Sequence, residues 1–516
     1  ADLEKDPEKI GVVIFSRPYN GFVEEAHMGI PRKLASRGVK VIPLDFIPVE
    51  NSKARRHMYW GMGQVILMAA RVVKEHPQLF GTYITNFSCG PDSFILGYFR
   101  EIMGRKPSLT LELDSHTADA GLETRIEAFL DIVSAYRQLE QNKRIINIEE
   151  PYRPAKVNID RGRVEVITSS GEALPLNHPR VTVLIPSMGK LGSEAFAAVF
   201  RQSGVNAVAH PPPDEAVLKI GRANTSCKEC LPLILTTGSL LNYIRNQKRD
   251  DEVLVYFMAT GSGPCRFGQY YIFMEDLVKR LHISDVAMFS LSSEDSYEGM
   301  DKKFENRAWW SVIVSDTMED IRSMILANAK DTESAMDLFH SEWRKILAEL
   351  EHGDFASLEK QLFDSARELS KTKLVQPTDE VPVIALTGEI YVRRDGLSRQ
   401  YITEKLAVKG FATLCSPVAE WIHYCDFLVE KNLSEFEMSF KKRLRLWIKR
   451  FFMVRYERRI KQALSASKLI HALPFNLKAV IKTAKPLISP HLAGEAILTV
   501  GSSLHEVASH VCGVIA

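Results

Sequence analysis

The chain has 516 residues, of which 45% are hydrophobic and 25% charged, and its formal net charge is +2. These values exclude a disordered chain and leave no global field that calls for nucleic acid. No apolar run reaches membrane-spanning length and no signal peptide opens the chain, so a soluble cytoplasmic protein without a membrane span is expected.

The first pattern along the chain is GVVIFSRPYN, then helix-like EEAHMGIPRKLASRG, then VKVIPLD. It reads as strand, loop, helix, glycine, strand, with the glycine as a helix C-cap signal. A helical HMYWGMGQVILMAARVVKEH, strands YITNFS (83–88) and SLTLELD (108–114) and a closing helix GLETRIEAFLDIVSAYRQL complete this part. A polar, hairpin-like linker follows at 163–179. The pattern returns in RVTVLIPSMG, SEAFAAVFRQSG and VNAVAHP, with further strands EVLVYFMAT and DVAMFSLSS, and again in VPVIALTGEIYVR, LSRQYITEKLAVKG and FATLCSP. Short β-branched runs without clean alternation suit parallel strands buried on both faces. The expected fold is therefore α/β: several parallel-sheet units with a helical insertion. The expected divisions are 1–145, 146–316, a helical connector at 317–376, and a third α/β unit at 377–516 interrupted by a basic helical stretch at 421–470. The chain starts without Met and stops inside an apolar run, VCGVIA, so a larger parent protein, truncated here at the C-terminus, is expected.

Seven cysteines in a long chain without a secretion signal argue against a disulfide framework. Cys89 follows YITNFS and Cys265 follows EVLVYFMAT, each just before a helical pattern, and Cys230 lies near another helix start. These positions fall at the carboxyl edge of a parallel sheet, where open α/β folds bind ligands. A helix N-terminus lowers the cost of a thiolate, the form that binds metal or attacks carbon. Gly90 and Gly263 beside two of these thiols allow close backbone approach to a bound group. Cys415 and Cys425 read as core. Cys227 and Cys230 form a lone CxxC, either a redox pair or half a metal site. GxxxxGK[ST], a post-strand GxGxxG and GxSxG are all absent, so any ATP dependence belongs to another domain or chain.

LELDSHTADAGLETR places Glu112, Asp114, His116, Asp119 and Arg125 just past a strand. His116 has the chemistry of a proton shuttle, and the alternative is a loop that caps the next helix. Arg17, Tyr19 and Asn20 of SRPYNGF and Glu389, Tyr391 and Arg393 of TGEIYVR either line a cleft or make turns. The catalytic candidates are His116, Glu389 and Tyr19. In FKKRLRLWIKRFFMVRYERRIKQAL, Leu444, Trp447, Ile448 and Phe451 form an apolar stripe among nine Lys and Arg residues from Lys441 to Arg459. The readings are a solvated charged face, a docking face for an acidic partner or for ligand phosphates, and membrane-surface binding, which nothing else in the sequence supports.

YITNFSCGPDSF, LELDSHTADAGLETR, CKECLP, GPCRFGQY, TGEIYVR and HLAGEAILTVGSSLHEV together resemble the 2-hydroxyacyl-CoA dehydratase and benzoyl-CoA reductase superfamily. Most similar are the C-terminal parts of large CoA-substrate-specific activase-related proteins, from about residue 10 to the last residue. The resemblance implies Rossmann-like (flavodoxin-like) domains around an iron–sulfur cluster. This is either a [4Fe-4S] cluster on three cysteines or, in the double-cubane-cluster proteins, an [8Fe-9S] centre. It implies Cys89, Cys230 and Cys265 as ligands, with Cys512 as a fourth, and electrons from an ATP-hydrolysing activase, fused or separate. The activity implied is a low-potential reductase or dehydratase acting on an acyl-CoA. The alternatives are a double-cubane reductase of small molecules, a non-catalytic electron-transfer or scaffold subunit, and a cluster-free α/β protein whose cysteines are packing. The chain departs from the family at Cys227, where Gly is expected. A Gly-Pro-Phe-Gly-Cys-like loop expected soon after CGVIA and a cysteine-bearing domain expected before residue 1 are not in this sequence.

Overall fold

The computed structural model describes the chain apart from residues 1, 2, 4, 142–151, 161–162, 227, 262–264, 291–301, 432, 434–439, 471–475, 493 and 508–510, and the side chains of 141, 160, 440–446 and 506. Gly263 and Cys227 therefore lie outside the described residues. The chain divides into two compact units. The first is Ala1–Pro151 with Thr225–Cys230 and Arg266–Phe273, and the second is Tyr152–Asn224, Leu231–Cys265 and Met274–Ala516.

In the first unit β1 (Gly11–Phe15), β2 (Lys40–Pro43), β3 (Leu79–Asn86) and β4 (Ser108–Leu113) form a parallel sheet of order β2-β1-β3-β4. GVVIF is buried at every position, as a strand covered on both faces must be. SLTLEL instead alternates, with Leu109, Leu111 and Leu113 inward, because β4 is the sheet edge. Phe15, Tyr83 and Phe99 close one side with ring centroids 4.9 and 5.3 Å apart. A Cβ on Gly81 would stand 3.0 Å from the rings of Phe15 and Phe99, so a side chain there would have to push them aside.

The single helix expected over EEAHMGIPRKLASRG is instead two short ones, Glu24–His27 and Ile30–Ala35, and a further short helix, Pro18–Gly21, precedes them in the expected loop. Met28 (φ 51°) and Gly29 (φ 67°) break the expected helix in the left-handed region, just before Pro31, which has no N–H to continue the ladder.

The second unit holds three sheets. β5 (Lys156–Asp160), β6 (Arg163–Ile167) and β7 (Ala173–Pro175) make an antiparallel sheet, the last two strands coming from the polar linker segment. β8 (Val181–Ile185), β9 (Ala207–Ala209), β10 (Val253–Phe257) and β11 (Val286–Phe289) form a parallel sheet of order β11-β10-β8-β9. β12 (Val383–Leu386), β13 (Ala412–Cys415) and β14 (Gly513–Ile515) form a smaller one of order β13-β12-β14. The expectation of several parallel-sheet α/β units is met.

The helices Lys302–Asn328, Thr332–His352 and Phe355–Leu369 carry much of the second unit's core. The last two open on Asp331 and Asp354, whose carboxylates accept the N–H groups of Ser334 (3.1 Å) and Ser357 (2.9 Å). Helices Val418–Glu430 and Phe440–Ser465 lie between β13 and β14 in the chain, which is the helical insertion.

Candidate functional site

In the first sheet β1 runs to β2 on one side, and the chain then crosses to β3 on the other. The loops leaving β1 and β3 therefore flank the switch point at which open α/β sheets bind ligands. Arg17 leaves β1 and Cys89 leaves β3. The Arg17 guanidinium donates to the Cys89 sulfur, and its Nε stands 3.5 Å from Asp92. Asp92 is almost fully buried at the start of the Asp92–Met103 helix and accepts the hydroxyls of Thr85 and Tyr83. Ser88, immediately before Cys89, has φ 58°, a left-handed conformation costing a non-glycine residue about 1–2 kcal/mol. The order of the β8–β11 sheet repeats this arrangement, so the loop that carries Cys265 leaves β10 at the corresponding switch point of its own sheet.

Cys89 is half-buried, and burial pushes its thiol above the ordinary value, with the Asp92 carboxylate adding to the rise and Arg17 opposing it. The depressed thiol expected from a helix start is thus reversed, because desolvation and a neighbouring anion outweigh the helix dipole. Cys230 is also half-buried, and Tyr270 donates its hydroxyl to the Cys230 sulfur at 2.9 Å. Tyr270 stacks on Phe94 of the Asp92–Met103 helix (6.2 Å between centroids, 14° between planes). Arg266 reaches Ser93 (3.3 Å), and a Cβ on Gly90 would lie 3.7 Å from its side chain. Gln269 accepts from Tyr98 (3.3 Å) and donates to the His57 carbonyl (2.9 Å). The segment 266–273 thus lies along the helix that starts beside Cys89, and it ties Cys230 to that helix.

Cys265 is exposed, one residue before Arg266 in the chain. Cys512 is exposed too, with its thiol on the Val383 carbonyl (3.1 Å). It precedes β14 beside the first residue of β12, at the amino edge of that sheet, away from the carboxyl edge where ligands bind. Cys415 is buried as core, and Cys425 is half-buried with its thiol pushed up to about 12 by burial and Asp426. None of the six described cysteines is disulfide-bonded, and among the described residues no three His, Cys, Asp or Glu side chains form a ready-made metal cage.

Tyr19 is 52% exposed, with Arg17 5.1 Å from its ring centroid. Asn20, beside it, is fully buried, and neither amide atom has a hydrogen-bond partner. His116 is exposed in a turn, its backbone N–H on Asp114 (2.9 Å), the loop-holding arrangement. Asp114 lines a cleft of about 430 Å³ over the ends of β3 and β4, together with Glu25, Met28, Asn86 and Phe87.

Glu389 lies past the carboxyl end of β12 and accepts the Val392 N–H (2.7 Å). Its side chain keeps solvent contact, yet the protein packed around it costs the charged form hydration and raises its carboxyl. Glu495 accepts the Ile390 N–H (3.3 Å) and is pushed up to about 7, by burial first and then by the Glu389 charge. Behind them Arg393 pairs with Glu420 at 2.9 Å, both deeply buried. Asp92, Tyr270 and Glu495 were not singled out from the sequence. The acid three residues after Cys89 was the one available hint of Asp92. Tyr270 and Glu495 meet partners 40 and 106 positions away, which no local pattern encodes.

No family model matches the chain, and no curated protein or solved structure matches it.

Proposed function

We propose that this chain is the iron–sulfur component of an ATP-dependent, low-potential reductase or dehydratase system working in the cytoplasm. In this reading a separate or fused activase supplies the electrons, and the acceptor is a small substrate such as an acyl-CoA. The reading rests on one observation above all. Cys89 and Cys265 each follow the third parallel strand of a sheet, at its switch point, and Cys230 shares a unit with Cys89.

The donor set suits a cluster in kind. Two half-buried thiols belong to one unit, each with a hydrogen-bond donor on sulfur, Arg17 on Cys89 and Tyr270 on Cys230. The orphaned amide of Asn20, in the short Pro18–Gly21 helix that Arg17 opens, lacks a polar partner. Cys89 and Cys230 would hold iron, with Cys265 as the third ligand by resemblance; Cys512, at a sheet's amino edge, is left out. When bound, such a cluster supplies one-electron chemistry at low potential, tuned by hydrogen bonds to sulfur.

The chain's own residues then have defined tasks. Arg17 neutralises sulfur charge, and Tyr270 holds Cys230 in place through its stack on Phe94. The cleft over β3 and β4, open to solvent, lies close in sequence to the Cys89 loop and is the place proposed for a small molecule. Glu25 and Asp114 in its lining repel phosphate, so an acyl end suits it better than a nucleotide end. His116 and Tyr19, exposed and near the cleft-lining residues in sequence but not lining it, are kept as proton-transfer candidates by residue type alone. Glu389 belongs to the other unit and is assigned no step.

The test is iron and acid-labile sulfide analysis of anaerobically purified chain, repeated for Cys89→Ala, Cys230→Ala and Cys265→Ala. Iron and sulfide in the parent, with a loss in each variant, is the expected result. Full iron in Cys265→Ala would remove that residue from the ligand set, and no iron or sulfide in the parent would end the reading.

A further inference from the structure

The Phe440–Ser465 helix presents apolar side chains on two sides. Its inward side carries Met453, Ile460, Ala463 and Leu464, all buried, and Trp309 Nε1 donates to the Met453 carbonyl at 2.9 Å. Trp447 (67% exposed), Ile448 (45%), Phe451 (57%) and Phe452 (49%) stand in solvent. At 100° per residue these four fall within an arc of about 140°, centred roughly 150° from the inward row. The exposed Arg455 and Arg458 continue the same outer row. A surface helix ordinarily carries charged residues opposite its core face, so four large apolar side chains there form an unpartnered patch.

The charge around the patch has one sign. Residues 440–456 contain seven Lys or Arg and no Asp or Glu. Arg450 pairs with Glu430 at 2.8 Å, and Asp426 feels both Lys449 and Arg450, so one flank of the helix is partly neutralised by its neighbour. The outer row has no such acids in its own segment.

We infer that this helix face docks on an anionic lipid surface. Trp and Phe among Lys and Arg is the composition that settles at the headgroup layer, where rings bury their apolar faces and cations meet phosphate. The patch is a convex helix face whose outer row runs on into the cations Arg455 and Arg458, while Lys449 and Arg450 sit half-buried on the flank that meets Glu430 and Asp426. A docking protein would call for a groove and a mixed polar rim, whereas a lipid surface needs neither. The contact is with the surface alone, since no described helix is long and apolar enough to cross a membrane.

The test uses the full chain with two sets of vesicles, phosphatidylcholine alone and phosphatidylcholine mixed with phosphatidylglycerol. Cosedimentation with the mixed vesicles is expected to be at least about tenfold stronger than with the neutral ones, and to weaken with salt. A blue shift in tryptophan emission should accompany it and vanish in Trp447→Phe. Phe451→Ser should cut binding severalfold while leaving the thermal melt unchanged, because the ring is exposed. Equal binding to both vesicles, binding to neither, or self-association abolished by Phe451→Glu in place of vesicle binding would each overturn the inference.

Discussion

The carboxyl end of β3 and the carboxyl end of β12 are the same topological place in two parallel sheets, yet they are built from different chemistry. At β3 a thiol meets an arginine and a buried aspartate, and the anion is held by neighbouring hydroxyls. At β12 three carboxylates crowd one buried arginine, and all three are pushed toward the neutral form. Burial raises the proton affinity of the acid in both places. What differs is the relief available. A thiol can give up its proton when a metal takes its place on sulfur, whereas the crowded carboxyl groups keep theirs. The first edge is therefore the candidate metal centre, and the second is a proton-holding cluster.

The largest expected effect concerns the thiol edge. Cys89→Ala should remove at least half of the iron retained after anaerobic reconstitution, read as iron per chain, while the melting of the metal-free protein barely moves. Retention of full iron would break the contrast at once.

Next comes the buried pair at the other edge. Arg393→Met strands Glu420 in the interior and should lower unfolding free energy by about 3–5 kcal/mol in a denaturant titration. Arg17→Met should cost less, about 1–2 kcal/mol, because Asp92 keeps Thr85 and Tyr83. Equal losses would mean that the two edges are not differently built.

The pH dependence sharpens the same point. Glu495 is raised from 4.5 to about 7 in the fold, so the folded chain binds more protons than the unfolded one between those values. Its contribution is greatest below about pH 4.5 and is lost as pH rises through about 7. Glu495→Gln keeps an acceptor for the Ile390 N–H and should stabilise the protein by up to about 3 kcal/mol at pH 8, with no gain at pH 4.5. Chemical denaturation at the two pH values checks this, and a gain at acid pH would contradict the assignment.

The smallest effect is on thiol reactivity. Arg17 lowers the Cys89 thiol against the burial that raises it, so Arg17→Met should slow alkylation of Cys89 at pH 8 by a few fold, measured by mass spectrometry of the labelled peptide.

The sheets were legible because GVVIF, VTVLI and VLVYF are short apolar runs between turn signals, and the positions of Cys89 and Cys265 after such runs followed. The protonation of Cys89 was not legible, since it depends on Asp92 and on burial that only the packed loop creates. The tie from Cys230 to Tyr270 and the Glu389–Glu495 pair join segments that no periodicity relates. The helix after β1 was misread because apolar spacing ran through Met28 and Gly29, whose left-handed backbone ends the hydrogen-bond ladder ahead of Pro31. The basic segment 441–459 reads as an amphipathic helix either way, and only the exposure of Trp447 and Phe451 against the burial of Met453 shows which face the core takes.

The most direct measurement is an anomalous difference map at the iron edge from crystals of the anaerobically purified chain. The account predicts a peak within bonding distance of the sulfurs of both Cys89 and Cys230. Iron-replete protein with no peak at either sulfur, or a peak on Cys512 instead, would contradict it.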